Sequence, residues 1–317
     1  MHKKLLDIQQ LQDDYIARCN KMEKISIAVV HPCSADALNG VIESVNAGLI
    51  DPVLIGPEHK INAVANEINA DISSFKLLDV PHSNAAAETA VKLVHQGKVE
   101  AIMKGSLHTD ELMKEVVKRD GGLRTERRIS HIFLMARETY HKPFIITDAA
   151  INITPDLMTK RDIVQNAIDL MRVVNPEITP KVGILSAVET ITPAIQSTID
   201  AACLCKMADR GQITGAIVDG PFAYDNVISA QAAKVKKIKS KVIGDVDIYL
   251  VPNLEAGNML AKQLAFLTNA FSAGMILGAK VPIVLTSRSD GVKSRISSCA
   301  IAVMMVYAKK HCVEEEE

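Results

Sequence analysis

Tryptophan is missing from this 317-residue chain, and Tyr and Phe bring the aromatic content to only 3%. Base-stacking platforms for nucleic acid need aromatic side chains, so the composition speaks against that function. Charge excess is missing too: a formal net charge of -1 gives no electrostatic reason to expect a nucleic-acid partner. No apolar run is long enough to span a membrane. The opening MHKKLLDIQQLQDDY alternates in charge and has no hydrophobic core before a small-residue cleavage site, so no secretory signal is expected. Gly 16 and Pro 12 are too few for a low-complexity chain.

Several chemical signatures are also absent. There is no glycine-rich dinucleotide fingerprint and no Walker loop; Gly105 in KGS and Gly220 in DGP stand alone, so a phosphate nest of backbone amides is not indicated. Ser287 lacks a GxSxG context, which counts against an α/β-hydrolase elbow. Cys19, Cys33, Cys203, Cys205, Cys299 and Cys312 include no CxxC pair and read as buried thiols of a reducing cytosol. His31 before Pro32 reads as a turn residue or a lone ligand at the end of the first strand. His82, His95 and His131 share no helix face, so no metal set is assembled.

What is present is 48% hydrophobic and 23% charged residues, enough for sizeable cores in two domains. A helix within residues 1–22 precedes strands at Ile25–Val30, Val53–Ile55, Lys76–Leu78 and Ala101–Met103, with helices near Ala35–Ala47, Ile61–Ile68 and Asn84–Gln96 between them. Such alternation specifies a mainly parallel α/β sheet with helices on both faces. Later strands are expected at Phe144–Thr147, Lys181–Leu185, Gly215–Val218, Val246–Val251, Met275–Leu277 and 281–285, with a long helix from Pro155 to Val174. The expected division is residues 1–149 plus 278–317 as one discontinuous domain and 150–277 as the other.

The stretch VPIVLTSRSDGVKSR carries most of the chemistry: an apolar strand delivers Ser287, Arg288 and Asp290 at its carboxyl end, where open α/β sheets bind ligands. Arg288 in this position suits a bidentate grip on phosphate or carboxylate, although Ser and Asp also serve such turns as plain helix caps. Other polar strand ends follow apolar runs: Ser106 and Thr109 in KGSLHTDEL, Asp148 and Asn152 in TDAAIN, Ser186, the run Asp219–Asn226, and Asn253 to Asn258 in NLEAGN. The last three, Ser186, Asp219–Asn226 and Asn253–Asn258, together with the VPIVLTSRSDGVKSR stretch suggest a shared cleft. The cluster Lys118, Arg119, Arg124, Arg127 and Arg128 around Gly121 and Gly122 reads as a solvated loop or a mobile flap. The lysine run 234–241 reads as a solvated helix face or a landing site for an anionic cofactor.

The ordered blocks MKGSLHT, TDAAINITPDL, VDGPFAYDN, VPNLEAGN and PIVLTSRSD closely resemble the phosphate acetyltransferase and phosphate butyryltransferase family. DGPFAYDN and LTSRSD are most similar to the butyryltransferase branch and to the transferase part of bifunctional enoyl-CoA hydratase/phosphate acetyltransferases; no hydratase domain is present. The resemblance implies a two-domain fold of the isocitrate/isopropylmalate dehydrogenase-like type with the active-site cleft between domains. It implies a cytoplasmic homodimer or larger homo-oligomer, with acyl-CoA plus phosphate giving acyl phosphate plus CoA. Coenzyme A is then a substrate, and no cofactor or metal is implied.

By the same resemblance the family's Ser-Arg pair falls on Ser287 and Arg288, and its cleft Ser and Thr fall near Ser106 and Thr109. Asp148, Asn152, Asn253 and Asn258 are further substrate-binding candidates. Two departures stand out. The base aspartate of the acetyltransferase branch is here Ser294, leaving Asp290 as the nearest carboxylate, and an arginine after the cleft threonine is Lys114. The branch resemblance leads to an expectation of an acyl chain longer than acetyl, such as butyryl, with Phe222 lining the pocket and acetyl as the alternative. The rival readings are a non-catalytic acyl-CoA-sensing domain and a metal-dependent decarboxylating dehydrogenase.

Overall fold

The computed structural model describes residues 6–268, 270–286 and 291–314. Elements follow in the order α1 (Ile8–Cys19), β1 (Ile25–Val30), α2 (Ala35–Asn46), β2 (Ile50–Gly56), α3 (Glu58–Glu67), β3 (Lys76–Asp79), α4 (Ser83–His95), β4 (Ala101–Lys104) and α5 (Thr109–Val116). The middle of the chain gives β5 (Ser130–Ala136), β6 (Phe144–Thr147), α6 (Leu157–Val174), β7 (Lys181–Leu185), α7 (Gln196–Asp209), β8 (Ile217–Phe222), α8 (Tyr224–Ile228), α9 (Ala230–Val235), β9 (Ile248–Leu250) and α10 (Leu254–Thr268). It ends with β10 (Phe271–Leu277), β11 (Ile283–Val284) and α11 (Val292–Glu314).

The chain divides into two compact units, residues 9–127 with 273–317 and residues 1–8 with 128–272. In the first, the strands run β3-β2-β1-β4-β11-β10. Strand β1 pairs in parallel with β2 on one side and β4 on the other, and β4 pairs in parallel with β11. The chain therefore winds outward from β1 in both directions, which leaves a switch point between the carboxyl ends of β1 and β4. Being covered on both faces, β1 reads ISIAVV with five of its six residues buried. Helix α11 lies against α2, where Gly40 makes room for a buried arginine: a Cβ there would come within 2.3 Å of Arg295 Cδ.

The second unit has the order β5-β6-β9-β7-β8. Residues 128–149 belong here rather than with the amino-terminal strands, because β6 pairs in parallel with β9, Ile145 opposite Ile248. Strand β5, which the polar stretch before it concealed, is an antiparallel partner of β6. Much of the small aromatic content gathers in this core. Phe144 meets Tyr140 and Tyr249 edge-on, each pair with ring centroids 5.5 Å apart. Phe222, expected to line an acyl pocket, is only 2% exposed and lies in the same core cluster, so it is not open to a ligand.

The expected flap is tied down along its length. Leu123 is buried and its N–H donates to Val116 O, His95 Nε2 lies 3.1 Å from the carbonyls of Gly121 and Gly122, and Thr125 Oγ1 donates to Gly278 O at 2.7 Å. Gly121 itself has φ 73°, a turn conformation that disfavours a side chain. Among the described residues, no helix is long and apolar enough to cross a membrane.

One buried ion pair joins α6 to α7: Lys160 Nζ donates to Asp200 Oδ2 at 2.6 Å, with side chains 6% and 7% exposed. Gln196 Nε2 donates to the other carboxylate oxygen at 2.8 Å. Removing one partner strands the other in a low-dielectric site, so Asp200→Ala is expected to lower unfolding free energy by ~3–5 kcal/mol in urea titrations. The apolar pair Lys160→Met with Asp200→Leu should recover most of that loss. Equal stability of Asp200→Ala and wild type would show the pair to be energetically idle.

Candidate active site

At the switch point the backbone makes a close contact. A Cβ on Gly105 would fall 2.5 Å from Val30 O and 2.6 Å from His31 O, so only glycine lets the chain leaving β4 pass this near the end of β1. Ser106 then binds the same carbonyl twice, through its N–H at 2.9 Å and its Oγ at 3.0 Å. This fixes the half-buried Ser106 immediately before α5.

Helix α5 begins at Thr109, and its first turn is closed by Glu111. Glu111 Oε2 accepts from His108 N at 2.8 Å and Oε1 accepts from Ser83 Oγ at 2.6 Å. The Ser83 hydroxyl and then the His108 amide hold the Glu111 carboxyl below its ordinary pKa. Thr109 is half-buried in that turn, and Lys114 is exposed farther along the helix.

Ser287, Arg288 and Asp290 lie outside the described residues. The residues on either side of them are described. Thr286 is buried, and its Oγ1 accepts from Arg295 Nη1 at 2.7 Å. Sequence reasoning passed over Arg295 entirely. The one available signal was Gly40, whose lack of a side chain leaves the lane that Arg295 occupies. Ser294, at the position of the family aspartate, is half-buried in the first turn of α11.

A second polar group forms in the other unit, at the carboxyl ends of β6 and β9. Asp148 is only 2% exposed. Its Oδ1 accepts from Ala150 N at 3.0 Å and Ile151 N at 3.1 Å, and its Oδ2 accepts from Asn152 N at 3.1 Å and Asn152 Nδ2 at 2.6 Å. Burial pushes its pKa above the ordinary carboxylate value, while these donors pull the other way. Asn152 Nδ2 also reaches Ile129 O.

Asn253 accepts from Ala256 N at 2.9 Å at the start of α10, and Asn258 Nδ2 donates to Ala149 O at 3.1 Å. Gly257 permits that contact: a Cβ there would meet Asp148 O at 2.8 Å. Asp148, Asn152, Asn253 and Asn258 are therefore neighbours. Ser186, 2.8 Å from Ser197 Oγ, leaves β7 at the same end, where Ile184 pairs with Leu250 of β9. The lysine run contributes Lys234, Lys237 and Lys239 to an open hollow floored by Ala230, Ala233 and Ile243. Among the described residues no three His, Cys, Asp or Glu side chains converge as metal ligands would.

Comparison with known proteins decides which chemistry this strand-end arrangement belongs to. The family model described as "Phosphate acetyl/butaryl transferase" matches residues 82–303. The chain belongs to this family. A phosphate acetyltransferase of Rickettsia felis is 56% identical over 289 residues, covering 91% of this chain and 83% of its own. A phosphate butyryltransferase of Clostridium acetobutylicum is 36% identical over 288 residues, covering 91% and 95%. Among solved structures, a branched-chain phosphotransacylase from Enterococcus faecalis V583 aligns with a TM-score of 0.76 at 30% identity, over 89% of this chain and 99% of that one. A 4-hydroxythreonine-4-phosphate dehydrogenase from Klebsiella pneumoniae shares the fold alone, with a TM-score of 0.54 at 13% identity over 90% and 98%. Phosphotransacylases and a dehydrogenase thus meet in one architecture, the dehydrogenase-like α/β fold that the alternation and the motif blocks had implied.

The Asp148 contacts give a test of how this family member builds its second polar group. An amide at position 148 would set its own NH2 against the N–H groups that now converge on the carboxylate. Asp148→Asn is therefore expected to lower stability by ~1–3 kcal/mol, read from urea midpoints at constant m-value. Unchanged stability would mean that the loop does not depend on these bonds.

Proposed function

We infer that this protein is a phosphate acyltransferase that moves a short acyl group reversibly between coenzyme A and inorganic phosphate. The observation that carries the reading is the phosphate acyltransferase family match over residues 82–303, whose span includes the glycine-mediated switch point at Gly105 and residues Ser287 to Asp290.

In the forward direction a phosphate oxygen attacks the thioester carbonyl carbon. The tetrahedral intermediate then collapses with loss of the C–S bond, giving acyl phosphate and CoA thiolate, which takes up a proton. Phosphate is already anionic near neutral pH, so positioning it and stabilising the oxyanion are the main demands on the site. Arg288 grips phosphate through paired N–H bonds, and Ser287 donates to the carbonyl oxygen or the leaving sulfur. Ser106 and Thr109 hold substrate oxygens, with Lys114 supplying a point charge where relatives have a bidentate arginine. Asp290 is the nearest carboxylate for the thiol proton in the reverse direction, although an aspartate beside an arginine is a weak base. Asp148, Asn152, Asn253 and Asn258 are assigned to substrate binding.

The acyl group we assign is acetyl. Phe222 no longer supports a longer pocket, and the Rickettsia felis relative, at 56% identity, is named a phosphate acetyltransferase. The chain is further assigned to the cytoplasm and to a homodimer or larger homo-oligomer. Met259, Phe266 and Leu267, exposed at 65%, 67% and 77% and spaced to share one face of α10, support self-association.

Release of CoA on adding phosphate to acyl-CoA tests the activity directly; an acyl-CoA sensor would bind without releasing it. Arg288→Ala is expected to lose ~3 kcal/mol of transition-state stabilisation, on the order of a hundredfold in kcat/KM, with the fold retained by circular dichroism. Near-normal turnover at saturating phosphate would remove Arg288 from the site. Comparing acetyl-, propionyl- and butyryl-CoA at one phosphate concentration settles the chain length. A pocket fitted to four carbons would gain ~0.8 kcal/mol per buried methylene, so a tenfold preference for butyryl would overturn the acetyl assignment.

A further inference from the structure

His31 ends β1 at the switch point and has no task in the reading above. Its φ is 55°, a left-handed conformation that is uncommon outside glycine although His, Asn and Asp adopt it more readily than other residues. Its carbonyl accepts from Cys33 N at 2.8 Å, Ser106 N at 2.9 Å and Ser106 Oγ at 3.0 Å. A carbonyl offers two lone pairs, so this one has no capacity for a further donor.

His31 is half-buried. Nδ1 is buried and has no hydrogen-bond partner. The backbone group that acts on the ring is that of its own residue, whose carbonyl is already saturated. A hydrogen on Nδ1 would find only that saturated carbonyl, and a buried N–H left without a partner is rarer in folded proteins than an under-satisfied acceptor. The neutral ring therefore carries its hydrogen on Nε2. Nε2 is not buried and forms no hydrogen bond with the described residues. A second proton is opposed by burial and next by the Lys60 ammonium, which together draw the pKa below its ordinary 6.5, against smaller contrary pulls from Glu111 and from the residue's own backbone.

We propose that His31 is a catalytic residue of this site: a neutral imidazole that donates its Nε2–H to an anionic substrate oxygen beside Ser106. The proposal rests on the acyltransferase reading. The oxygen belongs either to phosphate or to the reacting thioester carbonyl, and in either case a fixed donor at a switch point stabilises charge that develops in the transition state. A neutral imidazole suits this role because the reaction returns it unchanged, with no proton to recover.

Two substitutions separate donation from structure. Asn tolerates the left-handed backbone well, but its amide reaches only as far as Nδ1. Gln has no such backbone advantage, but its amide nitrogen reaches about as far as Nε2. If His31 donates, His31→Asn loses about a hundredfold in kcat and His31→Gln stays within about tenfold of wild type. A purely structural role gives the opposite order. That order, equal impairment of the two, or wild-type rates in both would each overturn the proposal. A second readout needs no turnover: 15N NMR of the wild-type protein labelled at histidine should show His31 protonated at Nε2 and bare at Nδ1. The Nε2 signal should shift on adding inorganic phosphate in one arm or acetyl-CoA in the other, which identifies the oxygen. An Nδ1-protonated ring, or a signal indifferent to both ligands, would overturn the proposal. Absent CoA release by the wild type would instead sink the acyltransferase reading, leaving this readout to judge the donor alone.

Discussion

The saturated carbonyl of His31 is the interaction on which the amino-terminal polar site depends. Three donors from Cys33 and Ser106 converge on it, and they can do so only because Gly105 has no side chain to hold the two strand ends apart. From this follow the position of Ser106 and the entry into α5. The arrangement needs no long-range device. It arises where two neighbouring parallel strands end at the same level and their exits turn opposite ways, which is why such points recur as binding sites.

Charge is handled by pairing rather than by excess. With a net charge of -1, the protein still places Lys160 and Asp200 together out of solvent, and it gathers His141, Lys142 and Lys181 around Asp245 and Asp247. The Lys181, His141 and Lys142 bonds outweigh the burial of Asp245 and hold its carboxyl far below its ordinary range. These residues precede or begin β6, β7 and β9, away from the carboxyl ends where Asp148 and Asn253 sit. Polar residues at one end of the sheet thus secure strand entry, and those at the other end are left to shape loops. The same segregation explains why Asp148 spends its acceptors on its own loop: Ala150, Ile151 and Asn152 have backbone donors that must be met where the chain leaves β6.

Much of this was legible before any coordinates. The alternation of apolar runs with amphipathic stretches gave the parallel strands through Val53–Ile55 and Ala101–Met103 nearly as they are, because parallel strands buried on both faces cannot hide their composition. Asp148, Asn152, Asn253 and Asn258 could each be picked out as polar residues a few positions after a buried strand, while the bonds that tie Asn258 to Ala149 and Asn152 to Ile129 could not be read from the sequence. Strand β5 escaped notice because its polar approach through Arg127 and Arg128 masks it, and because an antiparallel neighbour is announced by its partner and not by its own period. The stretch from Gly121 to Arg128 reads by composition as a solvated loop or a flap, yet Leu123 and Thr125 anchor it through contacts that composition does not record.

The sequence by itself determined the alternating α/β architecture and, through its ordered motif blocks, the family. Both are carried by local patterns: burial periodicity along each strand, and chemically distinctive residues at strand ends. Only the tertiary structure decided that Phe222 is core, that Arg295 runs across Gly40 to Thr286, and that His31 presents one nitrogen while burying the other. Each of these turns on which distant backbone atoms come within about 3 Å of a side chain, a distance fixed by packing between segments far apart in the chain, on which local residue types are silent.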